Sequence, residues 1–307
     1  ERAPLPVRPR VAGDDWAGAW SADPSAEPAL RKSVADALQA DGQLLEQMKL
    51  SQSAVEVRLR NETYGARPQA IGHAARILTR ALPASVESFT ITLTEKGMPV
   101  SSTTMQRADI EALENGPAHE LLSRVSVTEA ARGDAGFAPN ADLYPRYRFA
   151  LSPYLELAGQ SDDDKTRADV GLQVKGSLDI AQGVILSGTL RQKAFGNIDE
   201  GSYSPSGTAP AVVRSDIGRY KAQSDLALQN LTLGWYARPA DAIYSRVTVG
   251  YLERMYGGIS GEILWKPMDS RLALGAELNY VKKRDYDQHF DFQDYDTLSG
   301  HLSAYYD

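Results

Sequence analysis

The alternation of apolar and polar residues near the end of the chain indicates a long β-strand. From Leu272 to Tyr280 every second residue is apolar, and the residues between them include Glu277 and Asn279. Successive side chains of a strand point to opposite faces, so this pattern predicts one apolar face and one partly polar face. The stretch 271–283 is roughly twice as long as an ordinary strand of about 5–6 residues. A charge-free apolar face of this length requires a large apolar neighbour.

The same period of two recurs from residue 144 onward. It predicts eight strands with no helix between them, at residues 147–158, 167–180, 184–194, 219–237, 243–252, 258–266, 271–283 and 295–306. Tight connections (181–183, 239–242 and 267–270) contrast with an intermediate one (159–166) and two long ones (195–218 and 284–294). Short turns on one side and long loops on the other are typical of outer-membrane β-barrels.

The two faces of these strands differ in chemistry. The predicted lipid-facing sets contain no charge and several end in Trp or Tyr: Val170/Leu172/Val174/Leu178/Ile180, Leu231/Leu233/Trp235, Val247/Val249/Tyr251, Ile259/Gly261/Ile263/Trp265 and Leu298/Gly300/Leu302/Ala304/Tyr306. The opposite faces carry Asp169, Gln173, Lys175, Asp179, Arg191, Arg246, Glu262, Lys266, Glu277 and Asn279. Strands with one face on lipid and one on a water-filled lumen have this composition. We therefore predict that residues 141–307 are part of an antiparallel transmembrane β-barrel; a soluble β-sandwich or surface domain is the alternative.

Residues 25–118 are predicted to form a small α/β domain. A helical apolar stripe runs through Leu30, Val34, Ala37 and Leu38 and continues, after an interruption at Asp41-Gly42, through Leu44, Leu45 and Met48. Strands follow around Val57 and Ile91, a helix begins near Pro68, Lys96-Gly97 forms a hairpin turn, and residues 109–113 start a short helix. This α-β-α-β-β-α order resembles a split βαβ module. His73 lies off the apolar stripe of its helix, so we expect it to be exposed.

The remaining segments and the composition narrow the class of protein. Residues 1–24 are interpreted as a linker or the end of a preceding domain, and residues 119–140 as a polar connector. The chain begins at Glu1 without a signal-peptide pattern, which we interpret as an internal piece of a longer protein. A net charge of −7 offers no basic surface for nucleic acid, and the absence of Cys excludes disulfides and thiolate chemistry.

Several long motifs resemble the YjbH family of Gram-negative outer-membrane exopolysaccharide proteins. They are DLYPRYRFALSPYL at 142–155, LERMYGGISGEILW at 252–265, GAELNYVKKRDYD at 275–287 and GHLSAYYD at 300–307, with FTITLTEKGMPVSS at 89–102 upstream. The resemblance covers nearly all of the chain from about residue 25. It implies an outer-membrane barrel with its α/β domain in the periplasm. The implied partners are outer-membrane lipid, exopolysaccharide and other polysaccharide-secretion proteins, and no cofactor is implied.

The segment RDYDQHFDFQDYD at 284–296 is the strongest candidate for a ligand contact. Aromatic faces stack on sugar rings, and carboxylates accept hydrogen bonds from sugar hydroxyl groups. The predicted polysaccharide contacts are Tyr286, His289, Phe290, Phe292 and Tyr295. Barrel loops are also acidic and aromatic for solubility and packing, which is the alternative. The Asp spacing matches no EF-hand loop, and we predict no metal site. Asp162-Asp163-Asp164-Lys165 is interpreted as a solvated turn.

Five polar residues are predicted to face the lumen: Arg246, Glu262, Lys266, Glu277 and Asn279. Glu262 and Glu277 can also be interpreted as paired acids for glycoside cleavage, although pore electrostatics is the favoured role. We predict no enzyme. The first functional hypothesis is passive assistance of exopolysaccharide secretion or surface assembly. The second is a scaffolding barrel with a plugged lumen, and a polysaccharide-modifying enzyme is the weakest.

Overall fold

A computed structural model of the chain describes residues 3–158, 166–203, 213–223 and 225–307. The protein is mainly β, with two sheets. It divides into two compact units. The first unit comprises Glu1–Leu143 with the turns Arg238–Ala242 and Lys266–Arg271; the second comprises Tyr144–Ala237, Ile243–Trp265 and Leu272–Asp307. Among the described residues, no helix is long and apolar enough to cross a membrane. The predicted turn at Asp162–Lys165 lies outside the described residues.

The first unit is a six-stranded sheet with four α-helices. A 3-10 turn at Ala19–Ala22 precedes these elements: α1 Ala26–Ala40, β1 Gln43–Leu50, β2 Ala54–Asn61, α2 Arg67–Ala81, β3 Ser88–Glu95, β4 Met98–Gln106, α3 Arg107–Ala112, α4 Ala118–Leu122, β5 Ser126–Glu129 and β6 Ala138–Pro139. The strand order is β5-β4-β3-β2-β1-β6. Buried side chains from α1, α2 and the inner strands, among them Leu38, Leu78 and Phe89, form one apolar cluster.

The predicted split βαβ arrangement is wrong. In a split module another strand separates the two parallel strands, whereas here β2 pairs directly with β3 in parallel, with Val57 opposite Ile91. Helix α2 connects them, and it begins at Arg67 with Pro68 in its first turn, as expected. Antiparallel hairpins flank this βαβ unit, β1 with β2 and β3 with β4.

The predicted continuation of the first helical stripe through Leu44, Leu45 and Met48 is also wrong, because these residues form strand β1. Gly42 ends the preceding helical segment with a φ of 84°. A register shift lies between Leu45 and Gln47, and Leu45 and Met48 pair with Leu59 and Val57 of β2. The bulge therefore places two residues separated by three positions on one face. This spacing imitates a helix.

His73 is buried, contrary to the prediction of exposure. Its Nδ1 lies 2.8 Å from the hydroxyl of Tyr64 and 3.3 Å from Oδ1 of Asp41. The chain that follows β2 brings Tyr64 over the helix, with the two ring centroids 4.4 Å apart. The apolar stripe of the helix carries no information about Tyr64, because Tyr64 belongs to a different part of the sequence.

The second unit is an eight-stranded sheet in which the strands follow one another in chain order. They are β7 Arg146–Ala158, β8 Arg167–Ala181, β9 Val184–Gly196, β10 Leu226–Ala240, β11 Ile243–Tyr251, β12 Tyr256–Trp265, β13 Leu272–Arg284 and β14 Phe292–Tyr306. Six of the predicted strands agree with these bounds to within two residues. The last begins three residues earlier than predicted, and the predicted strand from residue 219 begins at Leu226. The difference arises because α5 (Ile217–Ala222) precedes it, with a further 3-10 turn at Ile198–Glu200.

Candidate functional site

The two faces of the second unit's sheet are the candidate functional surfaces. Register fixes which side chains share a face: Ile263, Ala276 and Leu302 lie in one row across β12, β13 and β14, and Ile259, Tyr280 and Leu298 in another. These rows belong to the apolar face. Its large side chains are exposed, including Phe149 at 77%, Leu278 at 58% and Leu302 at 89%.

The apolar face extends across the whole sheet. On β7 it consists of Tyr147, Phe149, Leu151, Pro153, Leu155 and Leu157, and on β8 it continues through Ala168, Val170, Leu172, Val174, Gly176 and Leu178. These twelve residues include no charge. Soluble proteins rarely expose a contiguous apolar patch larger than several hundred Å², and larger patches mark membrane or protein contacts.

Aromatic residues lie at both ends of this apolar face. At the short-turn end are Tyr147, Trp235, Trp265 and Tyr306, and at the long-loop end are Tyr251, Tyr280 and Phe292. Leu298 pairs with Tyr280 and Tyr306 pairs with Leu272, so eight residues of β14 separate the two ends. At about 3.4 Å per residue this is about 27 Å along the strand. The first charged pair beyond Tyr280 is Lys282 opposite Asp296.

The opposite face is polar and organised in rows across β11 to β14. Arg246, Glu262, Glu277 and His301 stand opposite one another in one row. Nη2 of Arg246 lies 3.0 Å from Glu262 Oε2 and 3.6 Å from Glu277 Oε1. The next row towards the long loops contains Thr248, Ser260, Asn279 and Ser299. We call these the charged row and the hydroxyl row.

A second group of charges connects distant strands on the polar face. Glu156 of β7 receives two hydrogen bonds from Arg254, which follows β11, at 2.6 and 2.8 Å. Arg191 of β9 lies 3.3 Å from the same carboxylate, and Lys221 of α5 lies 3.5 Å from it. Since β7 and β11 are four strands apart in the sheet order, this contact requires the sheet to curl around its polar face.

Four of the five predicted lumen residues lie on this polar face. Arg246, Glu262 and Glu277 form the charged row, and Asn279 belongs to the hydroxyl row. Lys266 is exposed and follows the last residue of β12, where its backbone N–H donates to the carbonyl of Ala242 at 2.7 Å. It therefore lies at a turn. That these residues line a lumen stays a prediction.

The five predicted sugar contacts fall into different environments. Tyr286 donates to Asp216 Oδ2 at 2.9 Å and packs on Tyr220, with the ring centroids 4.8 Å apart. Phe290 and Phe292 contact the ring of Tyr251, at centroid distances of 5.9 and 5.6 Å. This second group lies at the loop end of the apolar face.

The other two predicted contacts also differ. His289 is half-exposed beside Asp287, with 3.3 Å between its Nδ1 and Oδ2 of the carboxylate. Tyr295 is partly buried against a cluster that contains Tyr220, Met255 and Tyr256. The five residues therefore do not form one surface, and their contact with sugar stays a prediction.

Sequence reasoning missed a buried polar cluster between the two long loops. The Arg284 guanidinium is fully buried and donates to the carbonyls of Leu228, Gln229, Glu253, Gln288 and His289 at 2.6–3.4 Å. Beside it, Lys283 Nζ lies 2.7 Å from Asp216 Oδ2, with both side chains buried. In the sequence, Lys282, Lys283 and Arg284 form a basic run of the kind expected in solvent, so the pattern contains no signal for this burial.

Tyrosine hydroxyls complete this cluster. Tyr220 donates to the carbonyl of Arg284 and is fully buried. Burial raises the pKa of Tyr220, and burial together with the hydrogen bond to Asp216 raises the pKa of Tyr286. Both phenols consequently remain protonated donors, and they hold the loops in place.

A cleft opens in the polar face at the two rows. Its volume is about 660 Å³, and it is bordered by the hydroxyl row, by Arg246, Glu277 and His301 of the charged row, and by the aromatic residues Tyr236, Tyr256 and Tyr295. Small-molecule sites commonly have volumes of about 300–1,000 Å³. Within the described residues, no group of three or more His, Cys, Asp or Glu side chains is arranged to hold a metal ion.

Comparisons with known proteins agree on one family. A family model named YjbH, with the description "Exopolysaccharide biosynthesis protein YbjH", matches residues 1–307. The chain is also similar to "Uncharacterized lipoprotein YjbH" of Escherichia coli (strain K12), with 27% identity over 248 residues, which is 78% of this chain and 35% of that protein. The chain thus spans about a third of the length of this curated relative. No solved structure matches the chain.

Proposed function

The chain belongs to the YjbH family of exopolysaccharide biosynthesis proteins, and from this premise we propose that its second unit is part of an outer-membrane β-barrel that assists exopolysaccharide secretion or surface assembly. The first unit is the periplasmic part and docks other proteins of the secretion machinery. The name of the E. coli relative, a lipoprotein, supports a location in the cell envelope.

The observation that carries this proposal is the exposed, charge-free apolar face bounded by aromatic residues. The nine residues of β14 from Leu298 to Tyr306 match the roughly 9–11 residues with which a tilted barrel strand crosses a bilayer, and barrels carry such an apolar band between aromatic girdles. In water such a face would be a severe aggregation liability. In lipid it is the surface that a barrel requires.

The curled sheet supports closure around the polar face. Barrels span membranes because every backbone hydrogen bond is paired between strands. In the described pairing, β7 and β14 are the edges of the sheet. We therefore infer that further strands of the parent protein complete the barrel, with the charged and hydroxyl rows facing the lumen.

The proposed role is passive and non-catalytic. A lumen supplies water and hydrogen-bonding partners, and the energy for transport comes from elsewhere in the machinery. Glu262 and Glu277 both pair with Arg246 on the polar face, and we assign them to the electrostatics of the lumen rather than to glycoside cleavage.

A scaffolding barrel with an obstructed lumen is the second candidate. The observation in its favour is the pair of hydrogen bonds between Arg254 and Glu156, which connects strands on different sides of the polar face. Such contacts partly fill the space that a conducting lumen would need. Conductance of the purified parent protein in planar bilayers separates the two candidates: steps of current favour passage, and their absence favours the scaffold.

The test of the secretion role is genetic. Cells without the parent protein should release or display less polysaccharide, and the wild-type gene should restore the amount. The double variant Glu262→Gln and Glu277→Gln should restore it equally, with an unchanged product size. Unaltered polysaccharide in the deletion strain contradicts the secretion role, and a changed product size in the double variant favours an enzyme.

A further inference from the structure

We propose that the cleft between the charged row and the long loops binds a segment of neutral, hydroxyl-rich saccharide. This inference rests on the proposed function and specifies its substrate class. Compared with the sugar contacts predicted from sequence in the segment 284–296, this site lies on the polar face of the sheet and shares only Tyr295 with them.

The hydroxyl row provides the hydrogen-bonding groups. Thr248, Ser260, Asn279 and Ser299 lie side by side on four consecutive strands, and all four line the cleft. Neighbouring strands are about 4.8 Å apart. The buried Ser260 hydroxyl donates to Glu277 Oε1 at 3.1 Å, so Thr248, Asn279 and Ser299 are the members that offer donors and acceptors to a ligand. Hydroxyl and amide groups both donate and accept, which matches the dual character of sugar hydroxyls.

The row next to the hydroxyl row, on the side of the loops, contains two glycines. Gly250 and Gly258 stand opposite each other one row closer to the loops, with φ values of 129° and 155°. A Cβ at Gly250 would lie 2.2 Å from the carbonyl oxygen of Leu231, and one at Gly258 would lie 2.2 Å from that of Tyr280. A side chain would be strained at these positions, so this row has none on β11 and β12, while its other two members, Val281 and Thr297, line the cleft.

Aromatic rings border the same space. Tyr236 and Tyr295 are half-buried and line the cleft. Tyr256 is fixed at its edge by a hydrogen bond from its hydroxyl to the carbonyl of Val213 at 2.6 Å. Apolar ring faces beside polar groups suit the C–H surface of a pyranose. Of the residues predicted from sequence to contact sugar, Tyr295 lies here.

The charges at the cleft favour a neutral ligand. Arg246 is paired with Glu262 and Glu277 in the charged row. Arg214, at the loop end, makes two hydrogen bonds to Glu253 at 2.7 and 3.1 Å. An acidic saccharide would have to separate one of these arginines from its carboxylate partner, whereas a neutral one binds the hydroxyl row without disturbing either pair.

The test compares saccharide binding by the purified parent protein and its variants in detergent micelles. The probes are neutral hexasaccharides (maltohexaose, cellohexaose and chitohexaose) and hexagalacturonate of the same length, followed by saturation-transfer NMR and calorimetry. The triple variant Thr248→Val, Asn279→Ala and Ser299→Ala removes three hydrogen-bonding groups from the cleft. Ser177→Ala is the matched control, because Ser177 lies on the polar face of β8 outside the cleft.

We expect at least one neutral hexasaccharide to bind. Its affinity should be about tenfold or more lower for the triple variant and unchanged for the Ser177→Ala variant. Tighter binding of hexagalacturonate, equal binding by the triple variant, or no binding of any neutral probe overturns the inference. The same variants are tested for recovery in outer-membrane fractions before purification and for a heat-dependent mobility shift. Lost binding with a retained shift overturns the cleft alone, whereas the absence of a shift overturns the barrel whatever the saccharide result.

Discussion

At Leu278, one substitution should change stability strongly if the apolar face contacts lipid and weakly if it contacts water. It lies on the apolar face of β13, opposite Gly261 and Gly300, two residues from Tyr280 at the loop end of the apolar face and six residues from Leu272 at the other end. Its side chain is 58% exposed. The informative change is Leu278→Arg, compared with Leu272→Arg on the same face and strand.

The expected loss of stability depends on how deep the substituted residue lies in the bilayer. An arginine on the lipid face of an outer-membrane barrel costs about 2–4 kcal/mol at the bilayer midplane and about 0–1 kcal/mol near the interface. Leu272 pairs with Tyr306 at the aromatic end of the band, six residues or about 20 Å along the strand from Leu278. Leu278 lies between the midplane and the loop end, so Leu278→Arg should lower the free energy of unfolding by about 2 kcal/mol, and Leu272→Arg by about 1 kcal/mol or less.

The assay is denaturant unfolding of the parent protein folded into lipid vesicles, followed by tryptophan fluorescence. Ser299→Arg is the control for added charge and size. Ser299 is exposed on the polar face, one row away from Leu278, and its substitution should change the free energy of unfolding by about 0.5 kcal/mol or less.

A water-exposed apolar face gives a different outcome. Substitutions at exposed positions of soluble proteins usually change stability by no more than about 0.5 kcal/mol. If Leu278→Arg and Leu272→Arg have equal and small effects, the apolar face does not contact lipid, and the reasoning from its exposure fails.

Two further pairs of variants test the second unit itself. Gly258→Ala should destabilise the protein by about 1–3 kcal/mol, because its Cβ would meet the Tyr280 carbonyl oxygen at 2.2 Å. Gly261→Ala, which meets nothing within 4 Å, should be nearly neutral, and equal melting temperatures of these two variants would contradict the strand geometry. Arg284→Met leaves buried carbonyls without their donor and should cost about 3 kcal/mol or more, with faster proteolysis between β13 and β14. The exposed Lys282→Met should leave both measurements unchanged, and an unaltered digestion rate for Arg284→Met would show that the guanidinium does not hold the loops.

The sequence predicts the second unit well because alternation is a local property of the chain. The period of two in residues such as Leu274, Ala276 and Leu278 depends only on the pleat, so strand positions and faces agree with the structure to within a few residues for most strands. Helix α5 escaped prediction because six residues provide too little periodicity to distinguish a helical turn from a strand.

Features that depend on distant residues are not visible in the pattern. The bulge in β1 puts Leu45 and Met48 on one face at a spacing of three residues, as in a helix, and only the pairing with β2 reveals the bulge. The burial of His73 depends on Tyr64, and that of Arg284 on carbonyls from β10, the β11–β12 connection and its own loop. The hydroxyl row likewise exists only through register, since its four members are spread over more than fifty residues of chain.

The most direct test of the central claim is electrophoresis of the intact parent protein, extracted from outer-membrane fractions, with and without boiling. A closed barrel resists unfolding by detergent, so the account predicts recovery in the outer membrane and a change of mobility on heating. Recovery in a soluble fraction with the same mobility before and after boiling would contradict the barrel and the secretion role built on it.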